Sequence, residues 1–311
     1  MIDSPGSAPA QPAARTTAPA PAGAGRGRLH RARDYVAFVP FLAYVGLFLI
    51  VPTLVVALGS FLTIKGDATL DNIGQLFTDP VFVDAFVKSI ELAVGTAIIG
   101  AILGGLLAWA VVRGDPNGQL RQVVVAASGV LAQFGGVMLA LAFLATFAGT
   151  GLVTLFFKNV LHVPAPYDST WLFTLSGLVV VYAYFQIPLM LIVFLPSLDG
   201  LRQEWYDASS SLGGGAWAFW RNVGGPILAP SFLGALLLLF TNAFSAYATA
   251  AALISQGSPI VTLQISNQLQ SEVVLGQENV GKALALGMIV VVSLVMTAYA
   301  LIQRRASRWV R

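Results

Sequence analysis

One stretch of this sequence has residue types and spacing suited to phosphate chemistry: Gly276-Gln277-Glu278-Asn279-Val280-Gly281-Lys282-Ala283, which fits G-x-x-x-x-G-K. A phosphate loop also needs a Ser or Thr hydroxyl after the Lys to hold Mg²⁺, and a strand-loop-helix setting. Ala283 brings no hydroxyl, and an apolar run follows it, so the stretch reads as a polar connection entering a membrane helix. Several kinds of catalytic chemistry are excluded by count. There is no Cys, and His30 and His162 are the only histidines, which removes thiolate and multi-histidine metal sites and argues against a histidine general base.

The remaining polar residues of interest interrupt long apolar runs. Asn242, Ser245 and Thr249 recur at intervals of three and four, which places them on one face of a continuous helix. Together with Gln133, Tyr184 and Gln186 they are candidates to line a translocation path or to hydrogen-bond a neighbouring helix. Glu91 follows Lys88 by three residues, a spacing at which the two can pair. Gly100 and Gly104 form a GxxxG pattern, which lets two helix backbones approach closely.

These residues sit in a chain of 311 residues that is 57% apolar and 10% charged, against about 25% charged in a soluble domain. Six apolar runs are each long enough to cross a ~30 Å hydrocarbon layer. They lie at about Tyr35–Thr63, Phe86–Val112, Val123–Phe147, Leu172–Leu195, Ile227–Ile254 and Ala283–Ile302. The first exceeds a signal-peptide apolar region and is read as a retained span. Residues 1–33, rich in Ala, Pro and Gly, are read as a disordered tail. Residues 34–303 form an all-α, polytopic membrane domain, and 304–311 a basic tail.

Orientation follows from the positive-inside rule. With the N-terminus in the cytoplasm, all 13 Arg fall on the cytoplasmic side and the four Lys, at 65, 88, 158 and 282, fall outside. That predicts cytoplasmic N- and C-termini. The basic residues form no continuous patch, so nucleic acid is not an expected partner.

The connection over 197–226 carries the most specific pattern. A short helix over about Gln203–Leu212 is expected to end at Gly213-Gly214-Gly215. A second, over Ala216 to about Val223, presents Trp217 and Trp220 before Pro226 opens the next span. The sequence Asp207-Ala208-Ser209, three residues, Gly213, nine residues, Val223, one residue, Gly225-Pro226 resembles the EAA-type signature of permease subunits of binding-protein-dependent ABC importers. The departures are Asp for Glu, Ser for Ala, Val for Ile and Gly for Leu. Pro40 and Pro52, Lys88-Ser89-Ile90 and Pro188 extend the resemblance along the chain. The stretch Phe240–Thr249 resembles the spermidine/putrescine-type branch.

That resemblance implies a type I importer permease whose loop seats a coupling helix in a cytoplasmic ATPase subunit. Asp207, Ala208, Ser209, Gly213, Trp217, Trp220, Val223 and Pro226 would form the coupling surface, with Asp207 favouring the N-terminal dipole of its helix. The chain itself would bind no cofactor, ATP and Mg²⁺ belonging to the partner ATPase. Its other partners would be a second permease, identical or homologous, an extracytoplasmic solute-binding protein and membrane lipid, in a bacterial plasma membrane. A small polar or cationic solute, with a polyamine favoured, is the expected cargo. A transporter driven by an ion gradient is the alternative, opposed by the lack of a clear internal repeat and, apart from Glu91, of charge within the helix interiors.

Overall fold

The computed structural model describes residues 38–168, 170–254, 259–270 and 278–306. The expected N-terminal tail, residues 307–311 of the expected C-terminal tail, and Gly276 and Gln277 of the phosphate-loop-like stretch lie outside them; residues 304–306 continue the last helix. The chain divides into two compact units, Met1–Leu54 and Val55–Arg311.

The described part of the first unit is helical. It belongs to α1 (Phe38–Gly59), which contains a π turn over Gly46–Ile50, where the Val51 amide donates to the Gly46 carbonyl. Pro52, one residue later, has no amide to give to the ladder.

In the second unit, the described residues fold almost entirely into helices: α2 (Asp71–Thr78), α3 (Pro80–Arg113), α4 (Gln119–Gln133), α5 (Gly136–Phe147), α6 (Leu152–Asn159), α7 (Leu175–Asp199), α8 (Gln203–Ser211), α9 (Ala216–Ser245), α10 (Ala248–Leu253), α11 (Val261–Gln270) and α12 (Glu278–Ala306). Six helical segments among the described residues are long and apolar enough to span a membrane: Phe38–Gly59, Pro80–Arg113, Gly136–Asn159, Leu175–Asp199, Ala216–Ser245 and Glu278–Leu301. The all-α, six-span reading therefore holds.

Local sequence sets several helix starts. The Asp79 side chain accepts from the Val81 amide at 2.9 Å, and Pro80 takes the first position, where its missing N–H costs nothing. Thr174 caps α7 by accepting from the Gly177 amide at 3.3 Å.

The core centres on α3 against α7, with α9 packed on both. Alanines at 93, 97, 101 and 108 of α3 are buried there, facing Val181, Tyr182, Met190 and Leu191 of α7. Gly100 and Gly104 sit in this contact: a methyl group on Gly100 would come within 2.8 Å of Gln186 Cβ, and one on Gly104 within 2.6 Å of Met190 Cβ. Lipid is as apolar as a side chain, so close backbone approach, not apolar transfer, holds such helices together.

Four expectations need correction. The third apolar run is not one helix. It breaks at Phe134-Gly135 and restarts at Gly136, whose φ of +67° a residue with a Cβ resists. The fifth run stops at Ser245 and not at Ile254. Ala246 is extended, and its carbonyl, freed from the helix, accepts from Tyr182 Oη at 2.9 Å. The connection expected over 255–282 contains α11, which packs on α3 and α12, with the Val261 amide donating to Ser89 Oγ at 2.9 Å. Lys88 pairs with Asp84 at 2.6 Å and not with Glu91, because position i−4 lies one turn below it on the same face.

Candidate functional site: a protruding loop and two broken helices

The loop after α7 is built from α8, three glycines and the start of α9. The helix α8 opens at Gln203 with Glu204 in its first turn. Glu204, and not Asp207, therefore complements the positive end of the helix dipole. Asp207 lies mid-helix and exposed, accepting from Gln203 Nε2 at 3.3 Å.

The helix ends in a Schellman turn. The Gly214 amide donates to the Ser209 carbonyl at 2.9 Å and the Gly213 amide to Ser210 at 3.0 Å, with Gly213 at φ +81°. A Cβ on Gly213 would meet nothing within 4 Å, so backbone conformation alone dictates glycine there. At Gly214 the constraint is space: a Cβ would lie 2.8 Å from Ser209 Oγ and 2.9 Å from its carbonyl. The glycine run was legible in the sequence, but the division of labour within it was not.

Beyond Gly215 no separate short helix forms. Residues 216–245 run as one helical segment with a π turn over Trp220–Gly224, where the Gly225 amide donates to the Trp220 carbonyl. The wider turn accommodates Pro226, which has no amide to donate. Pro226 is exposed and Val223 half-buried.

Trp217 and Trp220 have different surroundings. Trp217 is 78% exposed and Leu212 is 90% exposed. Trp220 is half-buried, its ring 5.7 Å from that of Phe219, which in turn meets Tyr206 edge-on at 5.3 Å. Those rings fasten α8 to α9. Ala208, Ser209 and Val223 converge with Trp205, Leu212 and Asn222 on a surface concavity of about 560 Å³. Leu212 thus lines the concavity and, like Trp217, stands largely outside the packing of the helices.

The second region is where the two breaks meet. Thr249 Oγ1, on α10, donates to the Gly136 carbonyl at the start of α5 at 3.2 Å. Thr249 thus does not share a helix face with Asn242 and Ser245, since the break at Ala246 lies between them. It is buried, whereas Asn242 and Ser245 are exposed on α9. Ser245 Oγ turns back to the Thr241 carbonyl at 2.8 Å.

Gln186 is fully buried and donates to Thr96 Oγ1 at 3.2 Å, tying α7 to α3. Tyr184 packs edge-on against Phe143 with ring centroids 5.8 Å apart. Gln133 is exposed at the end of α4. Sequence reasoning missed Tyr182, which holds the Ala246 break, and the exposed pair Tyr247 Oη and Ser266 Oγ, 2.8 Å apart. No Gly or Pro marks the 246–247 break, so no local signal announces it.

The phosphate-loop-like stretch is no loop over its described part: Glu278–Ala283 open α12, and Lys282 Nζ donates to Asn279 Oδ1 at 2.9 Å. Among the described residues there is no cluster of His, Asp or Glu suited to a metal ion.

No protein-family profile matches the chain. It is 26% identical over 196 residues to a probable sulfate transport system permease protein of Helicosporidium sp. subsp. Simulium jonesii, covering 62% of this chain and 68% of that protein. It is also 26% identical over 202 residues to the sulfate transport system permease protein CysT of Escherichia coli (strain K12), covering 63% of this chain and 69% of the relative. A chain of a bacterial alginate ABC transporter, crystallised in complex with an alginate pentasaccharide-bound periplasmic protein, superposes with a TM-score of 0.70 at 14% identity, over 90% of this chain and 96% of that one. The fold is that of the membrane subunits of ABC importers. The polyamine-type reading of Phe240–Thr249 finds no support, because these relatives carry sulfate in their names and the stretch does not form a single helical face.

Proposed function

We propose that this chain is the membrane-spanning permease subunit of an ATP-driven importer for a sulfate-like oxyanion in a bacterial plasma membrane. It is a transport subunit and performs no covalent chemistry. The observation that carries the reading is the loop over 197–226, which has the spacing of the EAA-type signature and projects Leu212 and Trp217 outward beside a concavity. A cytoplasmic ATPase dimer docks there, so that closure around ATP moves α8 and α9 and alternates access to the path. A second permease subunit completes that path, and an extracytoplasmic binding protein delivers the solute.

Two features support an oxyanion over a cation. The named relatives are sulfate permeases. The interiors of α5, α7 and α9 carry no carboxylate, while the Asn242 amide offers neutral hydrogen-bond donors at an accessible position. A desolvated dianion is well served by neutral donors, whereas a polyamine calls for carboxylates.

The test is to purify the tagged permease with its native partners, reconstitute the complex in vesicles and follow uptake of labelled sulfate and labelled spermidine. ATP-dependent sulfate uptake requiring the binding protein is expected. Uptake driven by an ion gradient without ATP would sink the importer reading, and spermidine uptake in place of sulfate would sink only the cargo.

Orientation has its own test, because the chain has no Cys. Ser210→Cys should react in intact cells only with membrane-permeant maleimides, and Asn159→Cys also with impermeant ones. The reverse pattern would invert the topology and remove the loop from contact with any cytoplasmic ATPase.

A further inference from the structure

A cavity of about 290 Å³ opens where α3 and α7 end at one surface of the membrane domain, lined by Trp109, Arg113, Arg202, Gln203, Tyr206 and Trp220 among others. The sequence shows these residues as scattered. Helix packing brings two guanidinium groups and four aromatic side chains, those of Trp109, Tyr206, Phe219 and Trp220, to one opening.

Neither arginine has a carboxylate partner among the described residues. The ion pairs among the described residues are Lys88 with Asp84 and Arg121 with Asp199, the latter at 2.5 Å. Asp199, the acid at the end of α7, is thus already engaged. Arg113 instead stacks on Trp109, its guanidinium carbon 4.1 Å from the ring centroid, and Arg202 lies 6.0 Å over Trp205. A guanidinium stacked on a ring keeps its N–H groups in its own plane, free to bind a phosphate in fork geometry. Gln203 and Tyr206 add neutral donors at the same opening. The negative ends of α3 and α7 contribute only about half a charge each, less than the two full positive charges set against them.

Depth selects the source of the phosphate. Arg113 is the last residue of one spanning helix, and Arg202 lies three residues beyond the end of another. Trp and Tyr rings at such helix ends mark the headgroup layer of a bilayer. We propose that this cavity binds the phosphodiester of an anionic phospholipid, with Arg113 and Arg202 as its two charged ligands and the aromatic rings as its walls. The inference rests on membrane insertion alone, not on the importer reading or its cargo. A bound headgroup would brace α8 against the end of α3, so lipid composition would tune the loop.

The experiment uses the full-length permease in neutral detergent, without ATPase or solute, so that its result is separate from the fate of the functional proposal. Fluorescent phosphatidylglycerol and phosphatidylcholine with matched acyl chains are titrated, and inorganic phosphate is added as competitor. Phosphatidylglycerol should bind at least about tenfold tighter than phosphatidylcholine, and Arg113→Gln with Arg202→Gln should abolish that preference. Arg202→Gln alone, on an exposed connection, should lose a part of it and keeps the test usable should the double variant fold poorly. Arg221→Gln should retain it in full. Equal binding of the two lipids, or an unchanged preference in the variants, would overturn the site. Displacement of the lipid by equimolar inorganic phosphate would overturn its assignment to lipid.

Discussion

Gly104→Ala should destabilise the folded permease by about 2–3 kcal/mol, the cost of overpacking a closed helix contact. Its new methyl group has no room: it would press on the Ile187 carbonyl and come within 2.6 Å of Met190 Cβ across the α3–α7 contact. The same substitution at Gly95, on the same helix, meets nothing within 4 Å. There Ala gains up to about 1 kcal/mol of helix propensity over Gly. The two variants therefore share their chemistry and differ only in surroundings, and they should move in opposite directions. Thermal unfolding in detergent followed by size-exclusion chromatography reads the difference. If Gly104→Ala were as stable as the Gly95 variant, α3 and α7 would not be in the close contact described.

The second large effect is on coupling. Trp217→Ala removes the most exposed aromatic ring of the loop and should weaken association with the ATPase by about 2 kcal/mol or more, a typical hot-spot loss. Insertion and stability should be untouched, since the ring has few intramolecular neighbours to lose. Trp220→Ala should behave differently. That ring is half-buried against Phe219, so its loss should loosen the loop itself. Gly213→Val tests the turn: its φ of +81° costs a β-branched residue about 1–2 kcal/mol, which should lower uptake without lowering expression. Gly213→Asp should be milder, because Asp tolerates the left-handed region better than Val. Co-purification of the ATPase together with vesicle uptake checks all four. Normal recovery and uptake for Trp217→Ala would show that the docking surface lies elsewhere.

How much was legible beforehand depended on whether a feature is local or long-range. Membrane spans are largely local: six apolar runs announced six spans, although the third shifted from Val123–Phe147 to Gly136–Asn159 because the chain breaks at Phe134-Gly135. The Gly213–Gly215 turn was equally readable, because glycine changes the allowed dihedrals of its own residue. The EAA-like spacing could be read directly, since the loop's short helix and turn follow one another along the chain.

Tertiary structure decided the rest. The break at Ala246 carries no Gly or Pro, and it persists because Tyr182, 64 residues away, supplies the hydrogen bond that the helix would have made. That one bond separates Thr249 from Asn242 and Ser245 and dissolves the polar face that the 3.6-residue period implied. The partners of Gln186 and Arg121, and the meeting of Arg113 with Arg202 at one cavity, were likewise set by packing. Apolar periodicity decides which segments enter the membrane. Once inside, with no water to compete, each exposed polar group takes whichever partner helix packing brings within reach, and no local pattern records which that is.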